Sequence, residues 1–467
     1  MTSPAQALAA ALFAGQAPTP ERQAGTAFLH DLTAQARAGK LSPVVGRDAE
    51  ILQVLEVASQ RRKPNAVLIG PAGAGKTAVA EGLAQLCARH ASRLPERLQG
   101  LRVLQLDVGS LVAGAGVYGE VEKRLAAVLQ ELEGENALLF IDELQTLVGA
   151  GGRAGHNDVA QWLKPHLARG ALRVLAATTA DEYSQIIARD SALERRFSPI
   201  YVQPLSDAAA LRACEAHARW LRIDLPATQL RPVLRQTVHL ARRLLCHRSM
   251  PDSAIDLLER SHAMAELAGC ALSRRHVAQA AARLLHLPDD VQRRLERLRR
   301  GAAPRASASA GAASAHLPAL ATAAGHLLRT LGMATDSTRA QPACTPCLVE
   351  ATGEAEGTRI ASLLAAALGS EVIELDARAS EREVFGAEPG YIGYGQRRPI
   401  HKLLDRPFAV VHLRGADSAP VDSRLMRDLR TGALRDAEGR QMAVHAAVVS
   451  GHGPAGRHPL GFAPRAA

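Results

Sequence analysis

Aromatic residues are scarce in this sequence: tryptophan, tyrosine and phenylalanine together make up 3% of its 467 residues. Proteins that hold single-stranded nucleic acid usually stack its bases on aromatic rings within a basic groove. The formal net charge is +10, but the basic residues are spread along the chain, apart from a short arginine cluster at 293–300. We therefore interpret the positive charge as a solvated surface and expect no nucleic-acid partner.

Cysteine is also scarce, with six residues in the whole chain. Only Cys344 and Cys347 have the C-x-x-C spacing. A zinc site needs two further ligands, and a redox pair is expected at the start of a helix, whereas this pair precedes a predicted strand. The cysteines therefore predict neither a metal site nor a redox function.

Long apolar runs are missing as well, since no run approaches the roughly 18 residues that a membrane-spanning helix requires. The start, Met1-Thr2-Ser3-Pro4, carries no basic group ahead of the alanine-rich stretch, whereas a secretory signal peptide begins with one. We expect no membrane insertion and a cytoplasmic location. The hydrophobic fraction of 47% is nevertheless sufficient for packed cores.

One stretch carries a strong chemical signal. Residues 70–77 read Gly70-Pro71-Ala72-Gly73-Ala74-Gly75-Lys76-Thr77, which is the G-x-x-x-x-G-K-[ST] pattern of a phosphate-binding loop. An apolar run at 66–69 predicts a buried strand before it, and a helix is predicted after it. In this setting the loop N–H groups and the helix start bind a polyphosphate, Lys76 reaches the β- and γ-phosphates, and the Thr77 hydroxyl ligates Mg²⁺.

Two carboxylates, Asp142 and Glu143, follow another apolar strand at 137–141. Strands often end in acidic turn residues, so this pair taken alone is ambiguous. On a parallel strand close to the phosphate loop, however, Asp142 would hold Mg²⁺ and Glu143 would polarise the attacking water. Together with the loop, the pair predicts nucleotide hydrolysis.

Two further groups are candidates for the same site. A hydroxyl at Thr178-Thr179, where the next predicted strand ends, would sense the γ-phosphate or position the water. Arg195 and Arg196 either take part in ordinary surface ion pairs or act as an arginine finger on a neighbouring subunit's nucleotide. Residues 206–286 then have a wholly helical pattern, which predicts a helical lid after an α/β core.

The motifs GPAGAGKT, LLFIDE, AATT and ALERRF, in this order, resemble those of the AAA+ ATPases. More narrowly, DLTAQARAGKLSPVVGRDAEI, LVAGAGVYGEVEKRL and MPDSAIDLLE are similar to the first ATPase ring of the Clp unfoldases, over about residues 25–287. The resemblance implies a homo-hexamer that binds ATP and Mg²⁺ at its subunit interfaces and acts on protein substrates.

The resemblance also implies roles for individual residues. Asp142 and Glu143 would be the Walker B pair and Thr179 the sensor, while Arg195 and Arg196 would act in trans. The turn at Val44 and Val45, together with the lid near Pro251-Asp252, would flank the adenine.

The pore loop departs from the usual pattern of that ring. Most such rings place a Lys-Tyr-Arg triplet ahead of Gly-Glu, whereas this chain has Gly116-Val117-Tyr118 ahead of Gly119-Glu120. The Gly-Val pair resembles the ClpV-like unfoldases of type VI secretion. Tyr118, with Val117 beside it, is either a pore residue that grips a threaded polypeptide or a loop aromatic packed locally.

The second half of the chain resembles the second Clp ring in outline. Residues 386–394, GAEPGYIGY, are similar to its pore loop and place Tyr391 in it. Strands predicted at 347–350, 371–375 and 408–413 favour a folded module, although a decayed fold is the alternative.

The catalytic positions of this second module are changed. At 351–358, ATGEAEGT has Gly357 in place of the lysine, and Glu354 and Glu356 stand where phosphates would lie. In VHLRG, which ends at residue 415, Arg414 and Gly415 replace the Walker B acids. We expect this module neither to hydrolyse nor to bind ATP.

The predicted fold class is α/β: a P-loop AAA+ core with a parallel sheet and a helical lid, followed by a second, degenerate AAA+ α/β core. Locally, we expect a helix from Phe28 and a small-residue loop at 109–119. The predicted domains are a flexible lead-in at 1–24, the ATPase core at 25–204, the lid at 205–287, a basic helix and low-complexity linker at 288–316, and a truncated second module at 317–467.

Two functions of different classes follow. The first is an ATP-dependent unfoldase or remodelling chaperone, with secretion as a candidate role. The second is a non-catalytic subunit of a larger ring or secretion apparatus. The intact loop, carboxylates and arginines favour the enzyme, whereas the missing N-terminal substrate domain, the shifted pore tyrosine and the altered second module favour the subunit. A second lid, where relatives contact a peptidase, is also missing, so we expect no peptidase partner.

Overall fold

Two units make up the protein, Met1–Pro204 and Leu205–Ala467. Each contains its own sheet of mainly parallel strands. The computed structural model describes residues 26–113, 120–149, 172–245, 248–301, 317–333, 346–387, 391, 396–406, 408–416, 423–437 and 441–451.

The sheet of the first unit contains the strands β1 (Leu29–Asp31), β2 (Asn65–Ile69), β3 (Arg102–Leu106), β4 (Ala137–Ile141), β5 (Arg173–Thr178) and β6 (Phe197–Tyr201). Their order across the sheet is β1-β3-β4-β5-β2-β6. Neighbouring strands run parallel, except that β1 is antiparallel to β3. Every residue of β2 and β4 is buried, as expected of central strands covered by helices on both faces.

The helices described in this unit are α1 (Leu32–Arg37), α2 (Asp48–Ala58), α3 (Lys76–Arg89), α4 (Val108–Val112), α5 (Glu120–Leu132), α6 (Leu144–Gly149), α7 (Ala180–Ile186) and α8 (Ser191–Glu194). Alternate residues of β2 enter different cores, because successive strand side chains point to opposite faces. Val67 and Ile69 belong to the core that includes α5, and Leu68 belongs to the core that includes α3. The sheet is therefore packed on both of its faces.

Two local expectations are wrong. Residues 29–31 are a strand, not the start of a helix, because they pair with β3, and the helix begins only at Leu32. Asp31 marks that start, since its carboxylate accepts a hydrogen bond from the Ala34 N–H at 2.8 Å. Within the expected loop at 109–119, Val108–Val112 is helical, and Asp107 caps it by accepting from the Ser110 N–H at 2.9 Å.

The second unit begins with the helices that the sequence predicts for the lid. They are α9 (Asp207–Trp220), α10 (Ala227–Leu244), α11 (Asp252–Leu267) and α12 (Arg274–Leu284). Two more helices follow, α13 (Val291–Arg299) and α14 (Leu317–Thr330). Among the described residues of the protein, no helix is both long and apolar enough to cross a membrane.

A second parallel sheet follows, with the strands β7 (Cys347–Ala351), β8 (Val372–Asp376), β9 (Val410–Arg414) and, after a hairpin of β10 (Ala433–Arg435) and β11 (Gln441–Ala443), β12 (Ala447–Gly451). The accompanying helices are α15 (Glu354–Leu368), α16 (Glu381–Phe385), α17 (Lys402–Asp405) and α18 (Arg424–Thr431). The strand order is β7-β12-β9-β8, which repeats the order β2-β5-β4-β3 of the first sheet. The described part of the second module is therefore folded, with the strand order of the first.

Candidate nucleotide site

The phosphate-loop residues lie where the sequence predicts them, between β2 and α3. Gly73 and Gly75 have φ values of 75° and 91°, in the left-handed region that favours glycine. A Cβ on Gly70 would come within 2.3 Å of the Val202 carbonyl oxygen. The loop therefore needs glycine at its first position for close approach and at two later positions for its backbone turn.

Lys76 is held against the loop by the loop's own carbonyl groups. Its Nζ donates to Gly70 O at 2.8 Å and to Pro71 O at 3.1 Å. Burial lowers the pKa of Lys76, although the nearby carboxylates of Asp142, Glu182 and Glu143 act to raise it. The ammonium group thus stands at the mouth of the loop, next to carboxylates that favour its charge.

Thr77 and Asp142, the two predicted Mg²⁺ ligands, are brought together. The Thr77 hydroxyl donates to Asp142 Oδ2 at 2.6 Å, although the two residues are 65 positions apart in the sequence. Oxygen atoms of a hydroxyl and a carboxylate are the ligand type that Mg²⁺ takes, with the remaining positions filled by water and phosphate oxygens. The residues present therefore fit a nucleotide-bound Mg²⁺.

Glu143 occupies an unusual backbone position directly after β4. Its φ is 54°, a left-handed conformation that costs a non-glycine residue about 1 kcal/mol. Its side chain is exposed, and its N–H donates to Asp142 Oδ1 at 3.1 Å. The corresponding residue after β9 is Gly415, whose φ of 65° is nearly the same, so the second module retains this turn without a side chain.

Thr179 lies at the start of α7 rather than free in a loop. Its hydroxyl accepts from the Glu182 N–H at 3.4 Å, and Glu182 Oε2 accepts from the Thr179 N–H at 2.9 Å. Thr178 also donates its hydroxyl to Glu182, at 3.1 Å. Burial alone would raise the pKa of Glu182, but these hydrogen bonds from Thr179 and Thr178 bring it below its usual value. The T-x-x-E spacing of a capping box could have identified Glu182 from the sequence; the sensor role of Thr179 stays a prediction.

Arg195 and Arg196 lie at the amino ends of the parallel strands, whereas the phosphate loop lies at their carboxyl ends. They directly precede β6, and Phe197 is paired with Asn65 at the start of β2, whereas the loop follows Ile69. Four residues of strand separate the two positions, about 13 Å. Neither arginine is therefore placed to reach the phosphates of its own loop.

The segment at Val44 and Val45 packs against the helix that follows the loop. A Cβ on Gly82 of α3 would lie 3.1 Å from Val44 Cγ1, and the Gln85 side chain donates to Ser42 O at 2.6 Å. The structure thus brings this turn beside α3, and its contact with adenine stays a prediction. The neighbouring Arg47, which the sequence reasoning missed, is buried beneath the loop.

The predicted pore residues are only partly covered by the structure. Val117 and Tyr118 lie outside the described residues. Tyr391 is described and is 54% exposed, with the Arg382 guanidinium 4.7 Å from its ring centre. Cys347 is buried in β7, where burial raises the pKa of its thiol to about 12, so that it is a neutral core residue; Cys344 lies outside the described residues.

The phosphate-loop position of the second module, residues 351–358, has a short turn in place of an open loop. Only Thr352 and Gly353 separate β7 from α15, which begins at Glu354, whereas six residues separate β2 from α3 in the first module. Glu356 turns back and accepts from the Thr352 N–H at 2.7 Å. A carboxylate of the chain itself thus takes the backbone donor at this turn.

The charges at this turn are reversed relative to the first module. Arg414, at the end of β9, is 3.7 Å from Glu354 and 3.6 Å from Glu374. The first module instead has a lysine at the helix start and carboxylates at the strand end. An anionic polyphosphate would meet the carboxylates of Glu354 and Glu356 here; that the second module binds no ATP stays a prediction.

Comparison with known families gives one domain match. Residues 66–205 match the family described as "ATPase family associated with various cellular activities (AAA)". This range contains the phosphate loop, both carboxylates and both arginines described above.

Among curated proteins, the chain is 46% identical to the chaperone protein ClpB of Vibrio vulnificus over 242 residues, which is 51% of this chain and 28% of that protein. It is also 46% identical to the ATP-dependent Clp protease ATP-binding subunit ClpC of Staphylococcus aureus over 245 residues, 51% of this chain and 29% of that protein. The match thus spans less than a third of the length of these relatives.

Among solved structures, the chain is similar to Hsp104 in a closed-state cryo-EM reconstruction with ATPγS and casein. The TM-score is 0.74 at 30% identity, covering 92% of this chain and 75% of that one. An extended Hsp104–casein complex from S. cerevisiae gives a TM-score of 0.73 at 28% identity, over the same shares of the two chains. These matches extend over the second module as well as the first.

Proposed function

The chain belongs to the Clp-type AAA+ ATPases, and from this premise we propose that it is an ATP-dependent protein-remodelling enzyme with one active nucleotide site. The observation that carries the proposal is the 2.6 Å contact between Thr77 and Asp142. It joins the phosphate loop to the Walker B strand and leaves Lys76 and Glu143 beside them. The domain boundaries expected from the sequence are part of this proposal.

The proposed chemistry is hydrolysis of the terminal phosphate of ATP, with Mg²⁺ supplying charge stabilisation when bound. The loop N–H groups and Lys76 hold the phosphates, and Thr77 with Asp142 orients the metal. Glu143 accepts the proton of the attacking water. Thr179 is proposed to position that water or sense the γ-phosphate, with Glu182 fixing its orientation through the capping box.

The position of Arg195 and Arg196 supports action between subunits. Because they lie about 13 Å along the strand from their own loop, they would complete a site only in a neighbouring copy. A ring of identical chains, as a homo-hexamer, gives every loop such a neighbour. We include this assembly in the proposal.

Protein substrates are proposed on two grounds. The Hsp104 structures to which the chain is similar contain casein, and Tyr391 is exposed at the position that resembles a pore loop. Tyr391 and Tyr118 would contact the threaded polypeptide. A secretion-associated role rests on the resemblance of the Gly116-Val117 pair alone. A peptidase partner is not part of the proposal, although the related ClpC is a subunit of a protease.

The experiment compares ATP turnover by the purified chain and its Glu143→Gln variant, with sizing in the presence of ATP. We expect the variant to lose turnover by a factor on the order of 100 or more, because a general base is removed. Glu354→Gln, an acid-to-amide change in the second module, is the matched control and should leave turnover unchanged. Wild-type turnover equal to that of Glu143→Gln would instead favour the non-catalytic subunit.

A further inference from the structure

A buried arginine connects the phosphate loop to the end of the neighbouring strand. Arg47 is only 4% exposed and stands directly before α2. Its Nη2 donates to the carbonyl oxygens of Ala74, at 2.5 Å, and Gln203, at 2.8 Å. Its Nη1 donates to Glu50 Oε1 at 2.6 Å. One guanidinium thus joins the loop, the segment after β6 and α2.

The loop touches the segment after β6 at a second point. The Val202 N–H donates to Ile69 O at 2.8 Å, and the Val202 carbonyl lies against Gly70, where a Cβ would come within 2.3 Å. Gly75, near the other end of the loop, packs over the guanidinium, where a Cβ on Gly75 would lie 3.4 Å from Arg47 Nε. One end of the loop therefore contacts Val202, and the other end contacts Arg47, which donates to Gln203.

The chemistry of this position requires an arginine. A buried cation is costly unless its donors are satisfied. Here three acceptors take hydrogen bonds from Nη1 and Nη2, while the buried Nε has no hydrogen-bond partner among the described residues. The planar guanidinium directs separate N–H groups to separate acceptors. The ammonium of lysine is a compact point charge at the end of a shorter side chain. A lysine would retain the charge opposite Glu50 without holding both carbonyl groups.

We propose that Arg47 is a positioning residue that couples the phosphate loop to the Val202–Gln203 segment, so that nucleotide bound at 70–77 also orders this segment. The inference rests on the proposed nucleotide site. Gln203 is followed by Pro204, the last residue of the first unit, and in sequence the segment leads into the lid helices. Arg47 would thus convey nucleotide binding to the backbone that enters the lid.

The test is amide hydrogen exchange of the full chain, with and without MgATPγS, in wild type and Arg47→Lys. In the wild type, nucleotide should slow exchange in peptides covering 70–79 and in peptides covering 199–204. In Arg47→Lys the first effect should remain while the second is lost, with affinity reduced by about tenfold. Arg102→Lys is the matched control: Arg102 is an exposed, ion-paired arginine of the same unit, and its variant should keep both effects.

Nucleotide protection of both regions in Arg47→Lys, equal to wild type, would overturn the coupling. If Arg47→Lys stays folded but binds no nucleotide, Arg47→Ala is tested with added guanidinium: restored binding supports the positioning role, and no restoration overturns it. Wild type without nucleotide protection at 70–79 would overturn the nucleotide site itself, which is a different failure.

Discussion

Glu143 is the residue at which function and backbone preference conflict. Its left-handed φ of 54° is unfavourable for a side chain, and the second module has Gly415 at the equivalent position, with the same turn. Strain of this kind persists where the surrounding structure enforces it, and it is frequent at active sites. We interpret it here as the consequence of directing a carboxylate out of the sheet edge, beside Asp142.

This interpretation predicts opposite effects of one substitution. Glu143→Gly should abolish ATP turnover and raise the free energy of unfolding of the first unit by about 1 kcal/mol, because the strain is removed. Denaturant unfolding and a turnover assay measure the two effects. Glu143→Gln is the control, with turnover lost and stability unchanged; a Glu143→Gly variant less stable than Glu143→Gln would contradict the account.

At the scale of elements, the two strand-to-helix turns show how one topology serves different chemistry. In the first module, six residues separate β2 from α3, and Gly73 and Gly75 give them a left-handed loop backbone. In the second, two residues separate β7 from α15, and Glu356 accepts from the Thr352 N–H. Shortening the turn and placing acids in the first helical turn, where they favour the helix start, converts a ligand site into a closed connection.

Helix α14 provides a pH prediction at this scale. Burial, with Arg243 and Arg329 nearby, lowers the pKa of His326 to about 4, well below its unfolded value near 6.5. Between these values the unfolded chain binds a proton that the folded chain does not, so stability falls as the pH drops from about 6.5 to about 4, by on the order of 2 kcal/mol. Unfolding midpoints across this range should show the loss.

The matched variant for this prediction is His326→Gln, which removes the titrating group. Its second unit should lose less stability than wild type over the same pH interval. Equal slopes for the two proteins would show that His326 titrates normally in the folded state.

The sequence predicted the nucleotide site better than it predicted Arg47, β1 and the turn of the second module. The phosphate loop and Asp142 were predictable because each is a local pattern at the end of an apolar strand, and parallel strands bring such ends together. Arg47 was not, because its partners Ala74 and Gln203 meet it only through the register of β2 against β6. Strand β1 was not predictable either, because residues 29–31 are a strand only through their pairing with β3. In the second module the sequence predicted reversed charge, but not that the turn is shorter and helical from Glu354.

At the scale of the whole molecule, the separation of the arginines from their own loop predicts complementation between copies. The Glu143→Gln variant lacks the general base of its own nucleotide site but keeps both arginines. The double variant Arg195→Ala/Arg196→Ala keeps its own loop and Glu143 but lacks the arginines. Each alone should be inactive, and mixing them should restore part of the turnover, because some interfaces then combine an intact loop with intact arginines. Turnover of the mixture no higher than that of either variant would contradict action in trans.

The central claim is that ATP is bound and used only at residues 70–77. Equilibrium binding of MgATPγS to the full chain tests it most directly. We predict one nucleotide per chain in wild type, one in Arg414→Ala, whose change lies in the second module, and none in Lys76→Ala. Two nucleotides per chain in wild type, or one that remains in Lys76→Ala, would contradict the account.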